Sequence, residues 1–187
     1  MQCVRLCFAG LLGLTLTSAT FAYSAPLRGE LPPTSHHFVD FRARPGSPVG
    51  HTYVVYGSID DRGRILTARA AGFYPHGTFS QSVLAALLPM PGYVGLEPSD
   101  RDRPPSMIYR QRLNADEYVH FVSKVERLRK TQRAWHLLFF NCNAFTGNLA
   151  RSIGLRAPPS LELPNDFVRG LYSMNRQRTG ATLSVTK

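Results

Sequence analysis

The sequence predicts a single α+β domain in which a small antiparallel sheet packs against helices. Its 187 residues suffice for one ordinary domain with a buried core. Segments typical of strands dominate the first half of the chain, and the clearest helical repeat begins only at Asn114. No motif recurs at a period of about 20–50 residues, which excludes solenoids and propellers.

The first 22 residues have the pattern of a secretory signal peptide. Arg5 supplies a positive charge, and Leu6–Leu16 is an apolar stretch of about the usual 7–15 residues. Small side chains at Thr20 and Ala22 suit cleavage after Ala22. An uncleaved anchor helix is the alternative, but the stretch is shorter than the roughly 20 residues that cross a bilayer. We therefore expect the mature chain to be periplasmic or secreted, without a transmembrane span.

A leader without periodicity, residues 23–34, precedes the domain, which we place at residues 35–175. His36–Arg44 alternates loosely between apolar and polar side chains and predicts the first strand. His51–Gly57 is rich in β-branched and aromatic residues, which is typical of a central strand covered on both faces. On this strand Tyr53 and Val55 share one face, and Val54 and Tyr56 share the other.

The next segments are predicted from turn residues and prolines. Ser58–Gly63 is a hairpin turn, and Arg64–Ala70 is the antiparallel strand that follows it. We expect Gly72–Pro75 to turn tightly and Phe79–Leu88 to form a short helix. Pro89–Ser106 contains five prolines and is expected to be a long loop, of the kind that is usually functional or mobile.

The middle of the chain holds the longest predicted helix. Met107–Leu113 predicts a strand, and Asn114–Gln132 predicts a helix, because Asn114 and Glu117 have the spacing of a capping box. Apolar residues then recur every three or four positions. The uninterrupted apolar run Trp135–Phe140 is expected to be buried.

Two shorter helices and a tail complete the chain. A helix begins near Cys142 and ends at Gly154, and another follows Pro164. The polar residues 176–187 are expected to form a disordered tail. The residues that the first of these helices turns inward are Phe145, Leu149 and Ile153.

The chain is strongly basic, with 22 Lys and Arg against 12 Asp and Glu and a formal net charge of +10. In an exported protein this charge favours anionic envelope polymers or lipid headgroups as partners over nucleic acid. A solvated basic surface without a partner is the alternative. Only Cys142 lies outside the predicted signal peptide, so the mature chain has one thiol and no internal disulfide.

Cys142 lies at the predicted start of a helix, where unpaired N–H groups and the helix dipole lower the pKa of a thiol. It is therefore a candidate nucleophile, and a buried small apolar side chain is the alternative. A thiolate nucleophile needs a base, and His51 heads the predicted central strand, from which it can point at a helix terminus. Among the other histidines, His36 and His37 are adjacent, so at most one of them can join a site. We expect His76 at the rim of the site, His120 in solvent and His136 in the core.

Three short motifs, Gly50-His51, Gly72–Pro75 and Asn141–Asn143, follow one another in this order, and Phe145 comes three residues after Cys142. This order resembles the circularly permuted papain-like thiol enzymes, in which the histidine strand precedes the cysteine helix. That group is related to the NlpC-type cell-wall peptidases and includes lecithin:retinol acyltransferase-like proteins and PPPDE-type peptidases. The motifs are also similar to those of exported bacterial proteins of unknown function.

The resemblance implies a permuted papain-like fold, with Cys142 as nucleophile and His51 as general base. It also implies a third polar residue on the strand after the histidine strand, where only Thr67 and Arg69 are available. Asn141 and the Cys142 backbone N–H are candidate oxyanion donors, and Asn141 is equally a candidate helix N-cap.

No cofactor or metal is implied by the sequence. It contains no Gly-rich phosphate loop, no GxSxG elbow and no HExxH motif. The adjacent His36-His37 pair lacks the nearby carboxylates of a zinc site.

Two functions are compatible with these observations. The first is an exported thiol hydrolase or acyltransferase acting on amide or ester bonds, with cell-wall peptides as the first substrate class and lipid esters as the second. The second is a non-catalytic envelope module that binds an anionic glycan, lipid or partner, with Cys142 as a packing remnant. An exposed, acidic thiol favours the enzyme, whereas a buried, inert one favours the module.

Overall fold

The structure is a computed structural model, and it describes residues 36–46, 50–77 and 88–186. All of these belong to one compact unit, residues 32–187. They form a seven-stranded antiparallel sheet and four helices, which confirms the predicted single α+β domain. The predicted signal peptide and leader lie outside the described residues, as do residues 79–87 of the predicted helix Phe79–Leu88.

The strands lie side by side in the order β6-β4-β3-β2-β1-β5-β7, and every neighbouring pair is antiparallel. The strands are β1 (His36–Arg44), β2 (His51–Ile59), β3 (Ile65–Pro75), β4 (Met90–Gly95), β5 (Met107–Leu113), β6 (Ala134–Trp135) and β7 (Ala181–Val185). The helices are α1 (Pro98–Asp102), α2 (Ala115–Thr131), α3 (Cys142–Ser152) and α4 (Pro164–Asn175). Among these helices, none is long and apolar enough to cross a membrane.

The strand predicted to be central, β2, is the middle strand of the sheet and is buried at every position. Its alternating side chains enter two separate apolar clusters, as the sequence predicts. Val54 and Tyr56 belong to the main core, which also contains residues of α2, α3 and α4. Tyr53 and Val55 belong to a second cluster with Phe38 and Ile59. The sheet thus supports a helical layer on the face that holds Val54.

The predicted start of α2 is confirmed. Asn114 accepts a 2.9 Å hydrogen bond from the Glu117 N–H, and Glu117 accepts one of 3.0 Å from the Asn114 N–H. These two bonds satisfy donors that the first turn of a helix leaves unpaired. The apolar stripes of α2 and α3 are buried as predicted, at Phe121, Val125, Leu128, Phe145, Leu149 and Ile153.

Two predictions about the middle of the chain are wrong. Gly72–Pro75 does not turn tightly but continues β3, where it pairs with both β2 and β4. Pro89–Ser106 is not a single loop, because it contains β4 and α1. Pro91 is compatible with β4 because its carbonyl still accepts a 2.8 Å hydrogen bond from the His76 N–H.

Two predictions about the later chain are also wrong. The apolar run Trp135–Phe140 is buried only at its start, since a bridge between His136 and Phe140 reverses the chain and turns its later residues outward. Residues 176–187 are not a disordered tail throughout, because β7 pairs with β5. Apolar and polar residues alternate around Leu183, and this alternation is the sequence signal of the edge strand. Leu183 packs against the main core.

Candidate active site

Cys142 is the first residue of α3, as its position in the sequence predicts. Asn141 is the N-cap, with an extended backbone, and its Oδ1 accepts a 2.8 Å hydrogen bond from the Ala144 N–H. As a whole residue, Cys142 is partly exposed. Its thiol lies where the helix dipole favours an anion.

His51 lies at the start of β2, from where its charge acts on the Cys142 thiol. The position before it requires glycine, because Gly50 has φ +77° and a Cβ there would lie 2.5 Å from the Arg44 carbonyl oxygen. Burial raises the pKa of Cys142, but the charge and hydrogen bond of His51 and hydrogen bonds with Thr52 lower that pKa to about 7. His51 is thus close enough to Cys142 to lower the pKa of its thiol.

Asp100 is a third member of this group that sequence reasoning missed. Its Oδ2 lies 3.8 Å from Nε2 of His51, and both side chains are at least nine-tenths buried. Among the described residues, Nε2 of His51 has no hydrogen-bond partner. The gap exceeds a hydrogen bond, but bonds between catalytic groups often tighten only when substrate binds. The carboxylate is thus placed to orient the imidazole.

Asp100 is held in place by residues from three strands. Arg44 donates to Oδ1 of the carboxylate, and the Tyr74 hydroxyl donates to Oδ2. The Tyr53 hydroxyl donates a 3.2 Å hydrogen bond to the Asp100 carbonyl. Burial and the neighbouring Asp100 raise the pKa of Tyr74, so its hydroxyl keeps the proton that it donates. The Tyr74 ring also stacks on His51 with centroids 4.5 Å apart, which fixes the imidazole from one side.

Asp100 lies on α1, away from the strand on which the resemblance places a third residue. On β3 the polar choices are Thr67 and Arg69, and Arg69 pairs with Glu126 of α2 at 2.8 Å. The segment around Asp100 has the composition of a loop. A usable signal is Pro98, because proline at the first helical position marks a helix start.

A buried polar network joins the strand of His51 to the helix of Cys142. Thr52 donates a 2.9 Å hydrogen bond to Asn143, and Thr146 donates one of 3.3 Å to Thr52. All three side chains belong to residues that are buried. Since Thr52 follows His51 and Asn143 follows Cys142, the network holds the two candidate catalytic residues in register.

The geometry of Asn141 corresponds to one of its two candidate roles. Its Nδ2 donates hydrogen bonds to the carbonyls of Leu137 at 2.7 Å and Ser160 at 3.0 Å, and its Oδ1 caps α3. Both amide hydrogens are therefore engaged, and the side chain has none for an oxyanion. The assignment of Asn141 to an oxyanion hole is corrected on this ground, and it is the N-cap.

Four of the other histidines have contacts of their own, with groups other than Cys142. His36 contacts Asp61 at 3.0 Å, His37 stacks on Tyr118 at 4.1 Å, and His76 packs on Tyr93 at 4.7 Å. As predicted, His120 is exposed and His136 is buried, where its Nδ1 accepts a hydrogen bond from the Leu138 N–H. In the ranges that the structure describes, no group of three or more His, Cys, Asp or Glu side chains is placed to hold a metal ion.

Comparison with known proteins finds a likeness at the level of structure. No family model matches the sequence, and no curated protein matches it. The crystal structure of the type VI secretion system effector TseH is similar over 83% of this chain and 100% of its own, with a TM-score of 0.48 and 14% sequence identity.

Proposed function

We propose that this protein is a cysteine hydrolase or acyltransferase in which Cys142 is the nucleophile and His51 the general base. The observation that carries the proposal is the grouping of Cys142, His51 and the buried Asp100, in which His51 lowers the pKa of the thiol and Oδ2 of Asp100 lies 3.8 Å from Nε2 of His51. A thiol, a base and a group that orients the base are the parts that nucleophilic catalysis requires.

The reaction follows from this geometry. His51 accepts the thiol proton, and the Cys142 thiolate attacks the carbonyl carbon of an amide or ester. The tetrahedral intermediate collapses, the C–N or C–O bond breaks, and His51 returns the proton to the leaving group. His51 then deprotonates water, or an acceptor hydroxyl or amine, which attacks the thioester. This attack releases the acyl group and regenerates the thiol.

The oxyanion of the intermediate needs hydrogen-bond donors close to Cys142. The Cys142 backbone N–H at the start of α3 takes this role, aided by the helix dipole. Asn141 acts indirectly, since its cap holds the first turn of α3 in place.

The permuted papain-like fold and export are parts of the same proposal. The histidine strand precedes the cysteine helix, and the helix packs against the antiparallel sheet, which supports that fold. The amino-terminal 22 residues would direct the chain to the periplasm or the medium, where cell-wall peptides and lipid esters are the available substrate classes.

Acylation by an activated ester tests the chemistry without knowledge of the substrate. Purified protein is incubated with p-nitrophenyl acetate, and the acetylated residue is located by mass spectrometry. We expect a burst of p-nitrophenol with an acetyl group on Cys142, and neither with Cys142→Ala. His51→Ala should slow the burst by roughly 100-fold or more, as expected for loss of a general base.

His120→Ala is the matched control, because His120 is exposed on α2. Its burst should equal that of the wild type. A Cys142 thiol that reacts no faster than free cysteine, or that becomes reactive only after unfolding, would overturn the proposal and favour a binding module with an inert thiol.

A further inference from the structure

Five large apolar side chains lie exposed on two loops of the described chain. Residues 138–140 precede α3, and residues 161–163 precede α4. Exposed apolar residues scattered singly need no explanation, but a contiguous group marks an interaction surface. We call this group the apolar rim: Leu138 (40% exposed), Phe139 (64%), Phe140 (51%), Leu161 (65%) and Leu163 (58%).

The two loops of the apolar rim are tied together beside Cys142. Asn141 donates to the carbonyls of Leu137 and Ser160, which belong to different loops. Asn143 donates to the carbonyls of Ser160 at 3.2 Å and Glu162 at 2.7 Å. Because these two asparagines flank Cys142, the apolar rim lies at the end of α3 that carries the candidate nucleophile.

A cavity of about 260 Å³ opens behind the apolar rim. Phe139 and Phe140 line it together with Phe145 and Arg151 of α3. It is smaller than the roughly 300–1,000 Å³ typical of sites for drug-sized ligands. The cavity therefore suits one segment of a larger apolar molecule, such as part of an acyl chain.

The charge around the apolar rim is positive. Arg151 lines the cavity, and Arg133 follows Gln132, which also lines it. Both arginines are exposed, and neither forms an ion pair with another described residue. Within residues 138–140 and 161–163 there is one acidic residue, Glu162, against these two arginines.

We propose that the apolar rim docks this protein on a lipid bilayer that carries anionic headgroups. The aromatic and leucine side chains enter the boundary between headgroups and acyl chains, while Arg133 and Arg151 contact the phosphates. A formal net charge of +10 draws the whole chain to such a surface. Docking in this way brings Cys142 to the bilayer surface.

Docking itself needs no catalysis. The further step, that the docked protein takes an acyl ester or amide from the bilayer as substrate, rests on the proposed function. Binding is therefore measured with the Cys142→Ala protein, in which acylation plays no part.

The experiment follows tryptophan fluorescence in vesicles whose acyl chains carry bromine, which quenches a tryptophan that enters them. Phe139→Trp reports on the apolar rim. Val119→Trp is the matched control, because Val119 is also 64% exposed but lies on α2. Trp135 is common to both proteins, and it is 7% exposed. Since quenching reports each position itself, binding through the amino-terminal apolar stretch does not imitate it.

With vesicles of phosphatidylcholine and phosphatidylglycerol, we expect strong quenching of Phe139→Trp and none beyond the Trp135 background for Val119→Trp. Vesicles of phosphatidylcholine alone should bind more weakly. The double variant Phe139→Ser, Phe140→Ser should weaken binding by roughly tenfold or more, since both rings lose their burial in lipid. A double variant Val119→Ser, Met174→Ser, which removes exposed apolar side chains elsewhere, should bind as before.

Equal quenching at the two positions, or absence of binding to anionic vesicles, would overturn the docking proposal. Self-association that is lost in Phe139→Ser, Phe140→Ser, without vesicle binding, would assign the apolar rim to a protein contact instead. Vesicle binding by a protein that p-nitrophenyl acetate does not acylate would leave docking in place and remove the enzymatic function. Acylation without vesicle binding would leave the enzymatic function in place and overturn the docking proposal.

Discussion

The hydroxyl of Thr52 donates a 2.9 Å hydrogen bond to Oδ1 of Asn143, across 91 positions of the sequence. Each residue directly follows a candidate catalytic residue, His51 or Cys142. The bond therefore aligns the start of β2 with the start of α3. The Nδ2 of Asn143 is also used, in hydrogen bonds to the loop before α4. Asn143 thus joins three parts of the chain at the site.

Replacing Asn143 with alanine should destabilise the fold. The buried Thr52 hydroxyl and the two loop carbonyls would each lose a partner, and an unsatisfied buried polar group costs about 1–3 kcal/mol. Urea unfolding followed by circular dichroism measures the loss. Asn148→Ala is the control, because Asn148 lies on the same helix and is only half-buried. Equal midpoints for the two variants would contradict the role given to Asn143.

The rate at which iodoacetamide alkylates Cys142 should depend on pH through the thiolate. The pKa of Cys142 is about 7, so the rate should rise as pH passes 7 and level off above it. In His51→Ala the pKa should rise, because the charge and hydrogen bond that lower it are lost while burial still raises it. At pH 7 this variant should therefore react more slowly. His120→Ala should reproduce the wild-type profile, and a His51→Ala profile identical to it would exclude the pair.

Asp100→Asn should shift the pH profile of Cys142 alkylation to higher pH, as His51→Ala does. The amide keeps the shape of the carboxylate and an oxygen for the Arg44 hydrogen bond, but it places no negative charge beside His51. The pKa of Cys142 should rise, and acylation by p-nitrophenyl acetate should slow by roughly tenfold or more. Asp102→Asn, on the exposed side of α1, is the matched control.

Asp100→Ala tests how much Asp100 contributes to the stability of the fold, apart from its role in positioning His51. Removing one partner of a buried ion pair costs about 3–5 kcal/mol, so this variant should unfold at clearly lower urea than Asp100→Asn. If Asp100→Asn lowers stability as much as Asp100→Ala does but leaves the pH profile unchanged, Asp100 is structural only.

Local patterns predicted the elements that depend on neighbouring residues. The bounds of β1 agree with the predicted His36–Arg44, and the capping box placed the start of α2. Local patterns could not predict that Asp100 belongs to the site, because its position depends on Arg44 and Tyr74 from distant strands. The pairing of Cys142 with His51 came only from a family resemblance, since no local signal joins a strand start to a helix start.

The carboxyl-terminal strand also depends on distant pairing, and its removal is measurable. A chain ending at Gly180 lacks β7, so the Met107–Leu113 strand becomes the edge of the sheet and Leu183 leaves the core. We expect a lower unfolding midpoint in urea with the alkylation profile of Cys142 preserved. The matched variant removes only Thr186 and Lys187, which lie beyond the strand. If loss of β7 left the urea unfolding midpoint unchanged, residues 176–187 would be a tail that does not contribute to stability.

Gly72→Ala should impair the site while the fold persists. A Cβ at this position would lie 2.5 Å from the Tyr74 hydroxyl and 2.8 Å from Nε2 of His51, closer than van der Waals contact permits. Neither side chain moves freely, since the Tyr74 hydroxyl is bonded to Asp100 and the two rings are stacked. Overpacking of this kind typically costs about 1–3 kcal/mol. The imidazole should therefore shift away from Cys142, and the midpoint of the alkylation profile should move to higher pH.

Gly170→Ala is the control for this substitution, because a Cβ there would lie 3.2 Å from Pro158 on the α4 side of the molecule. It should leave the alkylation profile unchanged. Circular dichroism should show that both variants keep the wild-type secondary structure. A wild-type profile for Gly72→Ala would mean that His51 and Tyr74 accommodate the methyl group without moving the imidazole, and that the close approach of β3 to His51 does not set its position.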